Sequence, residues 1–132
     1  MSMVEKWKIK KGTLEYWDIF FNNLKRYKKI KEFLVIDDII FEVITNYNKK
    51  IRILCLFEYI FTEYSLNEIP EDIDLVSIGA IAKRPSKDLL KEAEDRNVGI
   101  TREKYLKEVL LNINPIKKAN NIILEKEFKN EK

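Results

Sequence analysis

Three apolar runs crowd the middle of the chain and decide what it can become: FLVIDDIIFEVITNY (33–47), IRILCLFEYIF (51–61) and IDLVSIGAIA (73–82). Each is rich in Val, Ile, Leu or aromatic side chains, which suit a pleated, half-buried surface. The first is interrupted by Asp37 and Asp38 and reads as one long or two short strands. Asn48, Lys49 and Lys50 make a polar turn before the second run, so the two pair as a hairpin. The third carries no charge after Asp74, as expected of a central strand with both faces covered.

Helical spacing flanks these runs. Thr13 caps a segment in which Leu14, Trp17, Phe20, Phe21 and Leu24 recur at intervals of three and four, up to about Tyr27. The polar stretch TEYSLNEIPED (62–72) contains Pro70 and is a loop or short helix. Pro85 and Ser86 announce a second amphipathic helix, with Ser86 as its cap and Leu89, Leu90 and Ala93 as its buried stripe. Asn97 and Gly99 end it, with a short strand around 98–100. Thr101 is the expected cap of a further helix, with Tyr105, Leu106, Val109, Leu110 and Ile113 on one side and Pro115 as its stop.

The order helix, hairpin, strand, helix, strand, helix gives an α/β fold. It is a single domain over 1–116 with a mixed central sheet, a hairpin plus a parallel strand-helix-strand unit, flanked by helices. Residues 117–132 read as a charged C-terminal tail. With 132 residues, 45% of them hydrophobic, the chain can bury a real core, and 3 Gly with 3 Pro argue against a loop-dominated one. No run reaches the roughly 18 apolar residues of a membrane span. The single Cys55 sits in an apolar run, where a buried structural thiol is expected. The expectation is a cytoplasmic protein without a membrane partner.

The residues present exclude much chemistry. There is no histidine, which removes the commonest general base and metal ligand and any Ser-His or Cys-His pair. With one Cys and no His, zinc has no ligand set. Gly79 stands without the other glycines and the lysine of a phosphate loop. Carboxylates with a hard cation such as magnesium remain, or binding without catalysis. The candidate acids are Asp37, Asp38, Glu42 and Glu58, on strands expected to pair, where opposed side chains lie about 5 Å apart. A plainer reading makes them edge-strand charges that discourage sheet-to-sheet aggregation.

On LEYWDIFFNNL, FLVIDDIIFEVI, IRILCLFEYI and LVSIGAIAKRPSKDLLKEAEDRNVGI, the chain resembles the restriction-endonuclease-like (PD-(D/E)XK) superfamily. In that family a helix precedes a hairpin bearing an Asp and an acid-x-Lys motif, followed by strand, helix and strand. The resemblance implies Asp38 and Glu58 as catalytic residues, with Mg as cofactor, if the chain is active. The second motif departs from the family: Glu58 is followed by Tyr59 and Ile60, where the latter position calls for lysine. A degenerate, non-catalytic member with no cofactor is the expectation. Lys50 or Lys83 would be the displaced lysine of an active one.

Lys83, Arg84 and Lys87 cluster at the start of the helix after the third run, although a helix N-terminus favours acids. With the Ser86 hydroxyl and first-turn amides, Lys83, Arg84, Ser86 and Lys87 form the candidate anion-binding residues. Asp88, Glu92 and the acids of 68–72 are the alternative source of counter-charge. Net charge is +3, divided as +5 over 1–36, −6 over 37–81 and +4 over 82–132. KRYKKIK (25–31) suits a phosphate backbone, and a divided surface suits steering of a charged partner. Three functions follow: a non-catalytic module contacting nucleic acid, a magnesium-dependent nuclease, and an immunity- or inhibitor-type factor that binds protein.

Overall fold

The computed structural model describes residues 13–37, 39–57, 61–79 and 82–128. Helix α1 (Thr13–Arg26) buries Trp17, Phe21 and Leu24, a single stripe set by their spacing of four and three. Trp17 and Phe57 stack with centroids 5.7 Å apart, and Phe21 meets Phe41 at 4.9 Å and Phe33 at 5.7 Å. Aromatic bulk thus fixes the helix on the sheet. Lys28, at φ 60°, turns the chain out of α1 toward the first strand.

Strands β1 (Glu32–Asp37), β2 (Ile40–Ile44) and β3 (Lys50–Cys55) form an antiparallel meander, so the first apolar run is two short strands. The turn between β2 and β3 closes through Thr45 N–H to Lys49 C=O at 2.8 Å, with Asn48 in the left-handed region at φ 64°. Asn tolerates that conformation better than most residues. Helix α2 (Glu63–Asn67) leads to β4 (Leu75–Ile78), parallel to β3, and α3 (Lys87–Asp95) leads to β5 (Gly99–Arg102), parallel to β4. The sheet runs β1-β2-β3-β4-β5. Strand β4 is interior and wholly buried.

After β5 come a 3₁₀ turn (Glu103–Tyr105), α4 (Leu106–Leu110) and α5 (Pro115–Glu127). Three expectations are corrected here. Thr101 is a buried residue of β5 rather than a helix cap. Pro115 does not stop a helix but opens one: it sits in the first turn of α5 behind the N-cap Asn114, where its missing N–H costs nothing. The segment read as a charged tail is helical through Glu127 and buries Ala119, Asn120, Ile122 and Ile123.

α1 and α4 cover one face of the sheet and α2 and α3 the other, while α5 supplies side chains to both cores across the β5 edge. Its approach is close. A Cβ on Gly99 would lie 2.9 Å from Ile116 C=O and 2.6 Å from a Leu75 methyl, so only glycine admits the helix there. Asn120, buried in α5, accepts Ile100 N–H through Oδ1 at 2.9 Å and donates Nδ2–H to Val98 C=O at 3.1 Å. One amide side chain thereby completes the backbone of an edge strand. Asn120→Leu is expected to strand both groups and cost roughly 2–4 kcal/mol by urea unfolding, with faster hydrogen exchange at the Ile100 amide. An unchanged midpoint would show that other groups can satisfy the edge.

Candidate functional site

Strand β4 ends at Ile78, and Ser86 then caps α3. The Ser86 backbone is extended, at φ −71° and ψ 158°, and its Oγ accepts Leu89 N–H at 3.0 Å. Thr62 caps α2 in the same manner, accepting from Ser65 N–H. The openings of the two helices face each other across a cleft of about 400 Å³. Phe61, Thr62, Glu63 and Tyr64 form one wall, and Lys83, Arg84, Ser86 and Leu89 the other. Tyr64 is 82% exposed, an unusual position for a large ring, and Lys83 is exposed as well.

The other two cations of the basic loop face the end of α5. Arg84 donates to Glu127 C=O at 2.7 Å, and its guanidinium lies 4.1 Å from the centroid of the Phe128 ring. The Lys87 ammonium lies 5.3 Å from the same ring. Cations at a helix C-terminus meet its unpaired carbonyls and partial negative charge. The counter-charge for the loop therefore includes the end of α5, which in the sequence reads as a charged tail. Lys83, Arg84 and Ser86 come together on the cleft, while Lys87 turns toward Phe128.

Behind Arg84 lies an ion pair that sequence reasoning missed. Arg102 meets Glu127 in a bidentate pair, Nε to Oε2 at 2.6 Å and a terminal nitrogen to Oε1 at 2.9 Å, and also donates to Gly79 C=O at 3.0 Å. Both side chains are largely buried, at 7% and 13% exposure. This pair locks the end of α5 to the ends of β4 and β5, and so fixes the loop that carries Lys83 and Arg84. No spacing in the sequence signals it, because Arg102 and Glu127 are 25 positions apart.

Asp38 and Glu58, the candidate catalytic residues, lie outside the described residues. Glu42 is described and is already engaged. Opposite it on β3, Arg52 donates to its carboxylate at 2.8 Å, Lys50 stands 3.6 Å away, and Arg52 also pairs with Asp72. The hydrogen bond from Arg52 holds the Glu42 carboxyl below the usual carboxylate range, with the Lys50 and Arg52 charges adding to it. A carboxylate so held is a poor candidate metal ligand. Cys55 is fully buried, and burial pushes its thiol well above the usual range, in keeping with an inert core thiol. Tyr16 donates to Glu103 at 2.6 Å, and partial burial with that carboxylate pushes its hydroxyl up to about 12.

Among the described residues, no helix is long and apolar enough to cross a membrane. No family model, curated protein or solved structure matches the chain.

The Glu42 pair sets a pH dependence whose sign is fixed. Because the folded carboxyl titrates below its unfolded value, its stabilisation is complete above the ordinary glutamate range, near 4.3, and fades as pH falls through the folded value. Glu42→Gln is expected to lower Tm at neutral pH, with the gap to the parent closing under acid conditions. A gap that stayed constant across that range would show that the Arg52 pairing does not depend on the charge of Glu42.

Proposed function

We propose that the chain is a non-catalytic binding module, with a degenerate nuclease-like core, that contacts single-stranded nucleic acid at the cleft between α2 and α3. The observation that carries this reading is an exposed ring facing cations across one opening: Tyr64, beside the buried Phe61, opposite Lys83 and Arg84. Single strands are held in this way, by bases stacked on aromatic faces and phosphates beside cations, without sequence readout. The cleft admits a base and its phosphate, and the wall bearing Arg84 is pre-set by α5. Glu63, on the opposite wall, disfavours a phosphate on its own side and so orients the strand with its backbone toward Lys83.

The nuclease-like element of the proposal draws on the order of elements: a helix, an antiparallel meander, then a parallel strand-helix-strand unit. The non-catalytic element draws on Ile60, which stands where the acid-x-Lys motif calls for lysine.

Titration of a labelled single-stranded oligonucleotide against salt tests the proposal, since log K falls with log salt by about 0.7 per phosphate contacted. Tyr64→Ala is expected to weaken binding roughly 5- to 100-fold, the loss of one stacked base. Lys83→Glu should weaken it further and flatten the salt slope without altering the fold. Arg84→Glu is the contrasting variant, because it also unseats the end of α5 and lowers Tm. The oligonucleotide should stay intact with magnesium present. Absence of binding at low salt, or affinity indifferent to salt, defeats the proposal. Cleavage that requires magnesium and is lost in Asp38→Ala would establish a nuclease instead.

A further inference from the structure

The two edges of the sheet are treated differently. An edge strand exposes unpaired N–H and C=O groups, and proteins blunt such rows with charge, proline or a covering segment. At β5 the cover is α5, with Asn120 bonded to Ile100 N–H and Val98 C=O and all four strand residues buried. At β1 the apolar residues Leu34, Val35 and Ile36 stand 53%, 39% and 40% exposed. Three consecutive exposed apolar residues on a sheet edge are the pattern that soluble proteins avoid unless the edge is used.

The local geometry identifies the outward-facing groups. Phe33 N–H donates to the exposed carboxylate of its neighbour Glu32 at 3.1 Å, an acceptor outside the sheet. Backbone groups alternate sides along a strand, so Phe33 and Val35 present their N–H and C=O to the outside. Leu34 faces β2 with its backbone and solvent with its side chain.

We propose that β1 is a self-pairing edge, on which a second copy of this chain docks antiparallel to continue the sheet through a two-fold axis at Leu34. Two observations select this occupant. The first is charge. Lys28, Lys29 and Lys31 stand before the strand, Asp37 is its last residue and Asp38 follows in the sequence, and Lys25 offsets Glu32 at 2.8 Å. Antiparallel self-pairing lays the basic end of one copy beside the acidic end of the other, whereas parallel pairing sets like charges together. The second is register. Residues opposed in an antiparallel ladder must both point outward or both inward, so the two-fold axis must fall on a residue rather than between two. An axis at Leu34 bonds Phe33 of each copy to Val35 of the other within the strand. Leu34 then meets the partner's Leu34 at a non-hydrogen-bonded position, where side chains approach most closely. An isologous contact of this kind closes at two copies. The irregularity between Val35 and Asp37 ends the pairing.

Sedimentation of the full chain over rising concentration is expected to approach twice its 15.8 kDa. Leu34→Lys sets two ammonium groups against each other at the axis, and the dimer dissociation constant should rise about 100-fold or more. Its circular dichroism should not change, because Leu34 is exposed in the single chain. Leu34→Cys should form an inter-chain disulfide under mild oxidation, since opposed Cα atoms at such a position lie about 4.5 Å apart. Val35→Cys, opposite the partner's Phe33, should not, and the buried Cys55 cannot contribute. A chain that remains monomeric, a dimer indifferent to Leu34→Lys, or cross-linking of Val35→Cys in place of Leu34→Cys would each overturn the proposal.

Discussion

The structure turns on how the β5 edge is satisfied. A parallel strand at the end of a sheet leaves one row of backbone groups without partners, and burying that row unpaired costs about 1–3 kcal/mol for each group. Here α5 lies over the strand, brought close by Gly99, and Asn120 supplies the missing acceptor and donor. Once α5 is placed, the rest of that end is determined. Ala119 and Ile122 join the core under α1, Ile123 and Phe128 join the core under α3, and Glu127 arrives beside Arg102.

The same placement answers why cations stand at the opening of α3. Against that helix, Arg84 and Lys87 forgo roughly 0.3–1 kcal/mol each in dipole energy. Across from it they meet the C-terminus of α5 and the face of Phe128. A cation over an aromatic face contributes about 0.5–1 kcal/mol at exposed sites and about 2 where desolvated, and the Phe128 ring here is buried. A charged donor on a helix-end carbonyl contributes more than a neutral one. The balance favours the cations where they are without any ligand. Lys83 is the cation of the three without that explanation, and it lies exposed on the cleft. Within this one basic loop the fold accounts for two cations, and the proposed function rests on the third.

The sequence made some of this legible and concealed the rest for identifiable reasons. Periodicity located α1 and α3, and Ser86 was legible as a cap because its hydroxyl precedes an apolar stripe at helical spacing. The strands β3 and β4 were legible as nearly unbroken apolar runs, with Arg52 the interruption in β3. α5 was not, because its apolar residues sit among lysines, asparagines and glutamates, and Pro115 reads equally as an end or a beginning. Only the neighbouring strand distinguishes Asn120 from Asn121: the first is buried in a backbone pairing, the second is exposed. Thr101 reads as a cap, since Thr before an amphipathic stretch is the usual signal, yet the strand continues through it to Arg102. Of the site, Lys83, Arg84 and Ser86 could be read from the chain. Phe61 ends an apolar run and is buried in the core, whereas nothing local shows that Tyr64, in the first turn of α2, stands exposed opposite α3.

Charge along the chain, +5 then −6 then +4, takes a definite form in space. The basic run 25–31 leads into β1 at one edge, whereas Lys83 and Arg84 follow β4, three strand spacings or about 14 Å across the sheet and at the opposite strand end, because β1 and β4 run the same way. Between them the acids of β2 and the loop before β4 are drawn together, with Glu42 and Asp72 held by Arg52 on β3. The two basic groups are thus kept apart by a neutralised centre and do not merge into one face. A single phosphate backbone has no continuous positive track over that centre to follow from one group to the other. The basic run and the basic loop consequently act on different neighbours. Lys25 of the basic run pairs with Glu32 at the start of β1, while Lys83 stands exposed on the wall of the cleft.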